Sequence, residues 1–127
     1  MPDATIVNLK EVEDSAVRFG LSPRLETRFA REALGCEQVG LSYQRLAPGA
    51  TQPFAHRHAS HEELYVVVGG RGRVRLDGEV SELRRFDAVR VAPQTSRSFA
   101  AGPDGLELLV VGPYGADAFE TLPSGWE

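Results

Sequence analysis

The chain has 127 residues, which is enough for one domain with one hydrophobic core and too short for two. Its 42% hydrophobic and 25% charged residues are an ordinary globular balance, which excludes a chain that is disordered throughout. The net charge of -4 argues against a nucleic-acid partner, because phosphate binding needs a basic face. No apolar run approaches the roughly 18 residues that span a bilayer, so we expect no membrane partner.

The N-terminus carries neither the positively charged segment nor the apolar stretch of a secretory signal. Cys36 is the single cysteine, so the chain cannot form an internal disulfide. Together these features predict a cytoplasmic protein.

Residues 1–36 are the part of the chain that the sequence leaves most open. Ser22-Pro23 is a plausible helix start, since Ser caps helices and Pro suits the first helical position. Gly35 could end such a helix, within which apolar residues follow helical spacing: Leu25, Phe29, Ala30 and Ala33. The alternative is an extended arm. In either form, we expect residues 1–36 to pack on the following domain or on a second subunit.

Residues 37–127 have the pattern of a β domain with a C-terminal tail. Short apolar or alternating segments predict strands at 39–43, 63–68, 73–76, 88–91 and 106–111. Turn signals separate them at Pro48-Gly49, Gly69-Gly70, Asp77-Gly78 and Gly102–Gly105. Many short strands at close spacing predict an all-β sandwich or barrel. We expect the tail from residue 112 to be irregular, with its aromatic residues packed on the barrel or on a second subunit.

The residues that indicate a chemical function lie between the first and second predicted strands and at the start of the second. His56 and His58 are two residues apart, so on a strand both side chains point to the same face. After a short connection, Glu63 begins the next apolar strand and can lie opposite the histidines. Two histidines and one carboxylate on one side of an ion are typical of non-haem Fe(II) and Mn(II) sites.

A less specific interpretation exists for each of these residues. A single histidine near a strand end is usually exposed or hydrogen-bonded, and is not a ligand. A His-x-His pair followed by Glu at the head of an apolar strand is a much rarer coincidence, which favours a metal site. We expect His61 and Glu62, in the connection, to lie in a solvated turn.

These residues resemble the first motif of the cupin superfamily, which is Gly, a spacer, His-x-His, three or four residues, Glu, six residues and Gly. The matching residues are Gly49, His56, His58, Glu63 and Gly70, with a spacer after Gly49 one residue longer than the usual five. The resemblance implies a cupin double-stranded β-helix, a jelly-roll barrel. It also implies that His56, His58 and Glu63 bind a divalent transition metal such as Fe, Mn, Zn or Ni.

The second cupin motif, Gly, five residues, Pro-x-Gly, two residues and His, is degraded in this chain. When the chain is aligned with this motif on Asp87, Val89 and Phe99, Phe86 stands at the position of the motif's glycine. Arg97 stands at the position of its metal-binding histidine. A guanidinium group stays protonated and has no lone pair to offer, so Arg97 cannot bind a metal.

Three outcomes remain open for the fourth ligand. Three protein ligands and water could hold the ion, or Gln52 or His61 could take the fourth position. Alternatively, Arg97 could pair with Glu63 in a site without metal. An inward arginine also favours an anionic ligand, because its planar fork matches a carboxylate.

The resemblance does not choose a reaction, since cupins include isomerases, dioxygenases, storage proteins and sensor domains. We expect a small-molecule-binding, metal-dependent barrel. An enzyme of this kind, a dioxygenase or an isomerase, would act on a small anionic substrate that Arg97 orients and Gln52 contacts. The alternative is a metal-free, non-catalytic ligand-binding or sensor barrel in which Arg97 binds an anion. We also expect a homodimer, because an open barrel of this size exposes strand edges that proteins normally cover.

Overall fold

The computed structural model describes residues 2–126 and shows an all-β fold built on one curled sheet. Met1 and Glu127, the outer bounds of the two predicted segments, lie outside the described residues. The helical elements are a 3-10 turn at Leu9–Glu11 and α1 at Arg31–Leu34. The strands are β1 (Leu25–Phe29), β2 (Val39–Leu46), β3 (Phe54–His58), β4 (Glu63–Leu76), β5 (Glu79–Leu83), β6 (Ala88–Val91), β7 (Arg97–Pro113) and β8 (Phe119–Pro123). Within residues 2–126, no helix has the length and apolar character of a transmembrane span.

Strand β7 is the centre of the sheet, because it pairs antiparallel with β2, β3 and β4. The sheet continues from β2 to β1 and from β3 to β8, and β4 also pairs with β5 and β6. Curling brings apolar side chains of these strands together in one core, which includes Leu46, Val67, Val74, Val91, Phe99, Leu106 and Leu108. The predicted all-β jelly-roll barrel is confirmed.

Two predicted strand breaks are bends inside long strands. β4 runs through Gly69-Gly70, and β7 runs through the expected turn at Gly102–Gly105. Gly70 has φ +67, and a Cβ there would lie 2.0 Å from the carbonyl oxygen of Gly105. The pairing register shifts on both sides of Gly70, as at a β-bulge. These glycines therefore let two strands bend while staying paired. By contrast, Asp77-Gly78 is the predicted hairpin, joining β4 to β5.

The helix predicted from Ser22-Pro23 is wrong. Residues Leu25–Phe29 form β1, which pairs with β2, so cross-strand pairing outweighs the helical spacing of the apolar residues. The extended alternative holds for this segment, and Gly35 does end a helix, the single turn of α1. The N-terminal arm, which is the part of the chain before β1, packs along β1, since the backbone N–H of Ser15 donates to the carbonyl of Thr27 at 2.8 Å. The division of the chain at residue 36 stays a prediction.

The prediction of an irregular C-terminal tail is wrong for Phe119–Pro123, which form β8 and pair with β3. This pairing covers an edge of β3, the strand that carries the two histidines. Beyond β8, the indole N–H of Trp126 donates to the hydroxyl of Ser98 at 2.8 Å. Its ring also lies 5.0 Å from the guanidinium of Arg73. The tail thus packs back on the barrel.

Candidate metal centre

The structure brings His56, His58 and Glu63 together at one end of the barrel interior. The two imidazole rings lie 5.1 Å apart on the same face of β3, as the two-residue period predicts. Glu63 shares its face of β4 with Tyr65 and Val67, which are 2% and 0% exposed, so its carboxylate also points inward. Its Oε1 atom lies 3.6 Å from Nε2 of His56 and 3.3 Å from Nε2 of His58.

The geometry of these three residues fits a divalent transition metal. One donor atom from each residue can be chosen so that all lie within 4.8 Å of one another. Metal–ligand distances of about 2.1 Å place neighbouring donors about 3.0–3.5 Å apart, close to the separations found here. Among the described residues, both ring nitrogens of His58 are buried without a hydrogen-bond partner. Such orphaned atoms cost about 1–3 kcal/mol each, and a metal on Nε2 would satisfy one of them.

Two further side chains lie next to the candidate ligands Glu63 and His58. The hydroxyl of Tyr65 donates to Oε1 of Glu63 at 2.6 Å. On the other side, Oδ2 of Asp117 lies 3.6 Å from Nδ1 of His58, which leaves Nε2 directed at Glu63. This separation is too long for a hydrogen bond, so Asp117 is a nearby negative charge for His58 and not its hydrogen-bond partner. The two-residue period of β4 could have revealed Tyr65, whereas Asp117 lies in the tail and no sequence spacing points to it.

The electrostatics favour the metal-binding protonation states of Glu63 and His58. Burial alone would raise the pKa of Glu63, but its contacts with His56, Tyr65 and His58 lower this pKa to about 2. Burial lowers the pKa of His58, although the carboxylate of Glu63 opposes the shift. At neutral pH, Glu63 is therefore ionised and His58 is neutral, as metal ligation requires.

Asp117 also organises the loop between β3 and β4. It accepts hydrogen bonds from the backbone N–H groups of Ser60 and His61, at 3.0 and 2.8 Å. Burial would raise the pKa of Asp117, but the hydrogen bonds from Ser60 and His61 lower it to about 2. The side chain of His61 is only 19% exposed and its ring stacks on that of His58 at 6.2 Å, so His61 is less solvated than we expected. The side chain of Glu62 is 53% exposed, in agreement with the expected solvated turn.

Arg97 lies inside the barrel beside the triad of His56, His58 and Glu63. It opens β7 opposite His56, and it is 0% exposed. Its Nη2 donates to the carbonyl of Ala92 at 3.0 Å, and its Nη1 lies 4.0 Å from Oε1 of Glu63. Within residues 2–126, Nε and Nη1 have no hydrogen-bond partner. The guanidinium is thus a buried cation with two free donors and one distant counter-charge.

Gln52 has a structural role in the barrel wall. Its side-chain oxygen accepts from the backbone N–H of Phe99 at 2.9 Å, and its own backbone N–H donates to the carbonyl of Phe99 at 3.0 Å. These bonds tie the segment before β3 to β7. A contact between Gln52 and a ligand stays a prediction.

A comparison with known families identifies the fold. The model of the cupin domain matches residues 42–112, more than half of the chain. The chain belongs to the cupin family. Phe86, which replaces the glycine of the second cupin motif, has φ +75. This left-handed conformation favours glycine, which supports the alignment that places Arg97 at the position of the family's last histidine.

Similar proteins show how widely this cupin fold is shared. An uncharacterised protein of Methanocaldococcus jannaschii is 31% identical over 52 residues, 41% of this chain and 42% of that protein. The match thus spans less than half the length of that curated relative. A cupin protein from Bacteroides fragilis is 24% identical, with a TM-score of 0.73 over 91% of this chain and 88% of the other. The polyketide cyclase RemF from Streptomyces resistomycificus is 20% identical, with a TM-score of 0.77 over 97% and 87%.

Proposed function

We propose that this cupin binds a small molecule beside a divalent transition metal held by His56, His58 and Glu63. The observation that carries the proposal is the convergence of both Nε2 atoms on Oε1 of Glu63, at 3.6 and 3.3 Å. When bound, Fe, Mn, Zn or Ni would supply a Lewis acid or an oxygen-activating centre. Three protein ligands leave further coordination positions for water or for a ligand.

Arg97 sets the charge of the ligand in this proposal. The carboxylate of Glu63 contributes one negative charge, whereas the metal and Arg97 would bring three positive charges into a partly buried space. A site with this excess of positive charge favours an anion. The free Nε and Nη1 donors of Arg97 would then orient that anion next to the metal. If the protein is an enzyme, a reaction of the dioxygenase or isomerase type fits these parts.

A metal-free ligand-binding barrel is the second candidate. Opposite charges on Arg97 and Glu63 lie 4.0 Å apart, so the guanidinium could replace the charge of a metal. This alternative gives no partner to Nε2 of His58, which is buried. We therefore prefer the metal site.

Titration of Zn²⁺ and Mn²⁺ against a competing chelator tests the proposal. His56→Ala and His58→Ala should each weaken binding at least about a hundred-fold, because each removes one of three ligands. Arg57→Ala is the matched control, since it changes the residue between the two histidines, whose side chain is 45% exposed and paired with Glu120, and it should stay within about threefold of wild type. No zinc or manganese binding by wild type, or equal binding by all four proteins, would favour the metal-free candidate.

We also propose that the protein is a cytoplasmic homodimer. Within residues 2–126, β5 and β6 each pair only with β4, which leaves one edge of each strand unpaired. A second copy could cover such edges across a two-fold axis.

A further inference from the structure

Phe119 is an exposed aromatic residue on the same sheet face as the two histidines. Strand β8 pairs antiparallel with β3, and the register places Phe119 opposite His58 and Thr121 opposite His56. Residues directly opposite each other in an antiparallel pair project their side chains to the same face of the sheet. The side chain of Phe119 therefore projects to the face that carries the candidate metal ligands of β3.

The ring of Phe119 contacts both imidazole rings. Its centroid lies 6.4 Å from that of His56, with the two rings nearly perpendicular at 82°. It lies 6.1 Å from the centroid of His58. Both separations are within the range of about 4.5–7 Å over which aromatic rings interact. A metal held by these imidazoles would therefore have Phe119 as the next side chain beyond two of its ligands.

Solvent reaches Phe119 more than it reaches the triad. Phe119 is 64% exposed. The side chains of His56, His58 and Glu63 are only 27%, 15% and 18% exposed. The ring thus lies on the solvent side of the candidate ligands. Ligand sites combine apolar walls with a few polar groups, and covering an exposed ring is favourable. The apolar part of a ligand that approaches the metal would gain this contact.

The charged side chains of β3 and β8, apart from the two histidines, lie on the other face of the sheet. They are Arg57 and Glu120, which stand opposite each other in the register. Nε of Arg57 donates to Oε1 of Glu120 at 2.6 Å, so the two charges are paired. Thr121, the next residue of β8 on the face of Phe119, is uncharged. These neighbours favour an apolar group against the ring of Phe119.

We propose that Phe119 is a specificity-determining residue, which binds the flat apolar ring of a small molecule whose oxygen donor occupies an open coordination position of the metal. The contact between the donor and the metal rests on the proposed function. The contact of the ring rests on the exposure of Phe119 and on its contacts with His56 and His58. The ligand class is therefore a small aromatic compound with an oxygen-donor group beside its ring.

Two zinc-binding probes isolate the contribution of the ring. Benzohydroxamate and acetohydroxamate share the hydroxamate group, which chelates zinc through its oxygen atoms, and they differ in the aromatic ring. Calorimetric titration of the zinc-loaded protein gives both affinities. Wild type should bind benzohydroxamate at least about tenfold more tightly than acetohydroxamate.

Substitutions at Phe119 should reduce this preference for benzohydroxamate. Phe119→Ala should reduce it at least about fivefold, because the probe loses the aromatic contact. Phe119→Tyr keeps a ring and should stay within about twofold of wild type. Phe54→Ala is the matched control, since it removes a phenylalanine that is 48% exposed at the other end of the same strand pair, opposite Pro123. Its preference should equal that of wild type.

Two further measurements check that the variants keep the site. Their affinities for zinc and for acetohydroxamate should stay within about threefold of wild type. The emission of Trp126, the single tryptophan, reports whether the tail after β8 remains packed, because its indole N–H donates to Ser98. If Phe119→Ala loses this packing, Phe119→Leu decides, since it keeps an apolar side chain on β8 without a ring. Its preference should fall about threefold.

The role of Phe119 and the metal site fail in different ways. A preference that is absent from wild type, or is equal in wild type, Phe119→Leu and Phe54→Ala, overturns the role of Phe119 even when zinc binds normally. Failure of wild type to bind zinc overturns the metal site. Ligand-observed NMR with metal-free protein then decides the role of Phe119. Broadening of the benzohydroxamate ring signals that Phe119→Ala abolishes and Phe54→Ala keeps supports it. Equal broadening by all three proteins, or none, overturns it.

Discussion

Replacing Arg97 with Met should tighten metal binding, because it removes a fixed positive charge from the wall of the site. Nη1 of Arg97 lies 4.0 Å from Oε1 of Glu63, a ligand candidate, so the guanidinium is close to any ion held there. Two unit charges 4 Å apart interact by about 4 kcal/mol at an effective dielectric constant near 20. A metal farther from a delocalised guanidinium but carrying two charges should feel a repulsion of similar size. We expect a gain of about 3 kcal/mol, which is roughly a hundred-fold in Kd.

Arg97→His separates relief of charge from the gain of a ligand. It also removes the permanent positive charge, and it offers an imidazole at the position of the family's last histidine. We therefore expect Arg97→His to bind metal more tightly than Arg97→Met, and both to bind more tightly than wild type. Met fills much of the volume of the arginine stem, so the barrel should stay folded, which circular dichroism will check.

Competition between the protein and a chromophoric chelator for Zn²⁺ at pH 7 gives the three affinities. Arg90→Met is the control, since it removes the same charge from an arginine that is 64% exposed on β6 and paired with Glu62. Its zinc affinity should stay within about twofold of wild type. A zinc affinity of Arg97→Met that equals or falls below that of Arg90→Met would refute the reasoning.

Three other predictions concern stability and assembly. The pKa of Glu63 is about 2 in the folded protein against 4.5 for a free side chain, so its contribution is present above pH 4.5 and is lost as the pH falls towards 2. In metal-free protein, this loss should lower the free energy of unfolding by about 2–3 kcal/mol, and the same decrease should be absent in Glu63→Gln. Urea unfolding of both proteins between pH 3 and 6 will show the difference. Phe86→Gly should stabilise the protein by about 1 kcal/mol in thermal unfolding, since φ is +75 and the side chain is 74% exposed; a lower melting temperature would contradict this. Light scattering should give the mass of a dimer, and the mass of one chain, 13.8 kDa, would refute the dimer.

The grouping of the candidate ligands could be predicted because strand geometry is local. A period of two residues places His56 and His58 on one face, and the apolar alternation after Glu63 directs its carboxylate to the same interior. The glycine position of the second motif could also be placed. Phe86 aligns there despite its side chain and adopts the left-handed conformation.

The errors in the sequence interpretation arise where tertiary pairing decides the structure. Residues 25–29 have helical spacing of apolar side chains, but their pairing with β2 makes them a strand. The sequence predicts turns at Gly69-Gly70 and at Gly102–Gly105. In the structure, both segments are bends within strands that stay paired with each other. Strand β8 lacks a strong β pattern and forms because β3 offers it an open edge. Asp117, which precedes β8, lies near His58 only as a result of that pairing.

Metal content tests the central claim most directly. The protein should be purified without a histidine tag, reconstituted separately with Fe²⁺, Mn²⁺, Zn²⁺ and Ni²⁺, desalted and examined by elemental analysis beside His56→Ala. We predict close to one equivalent of at least one of these metals per wild-type chain, and strongly reduced occupancy in the folded variant. Less than about a tenth of an equivalent of every metal in wild type would contradict a metal site at His56, His58 and Glu63.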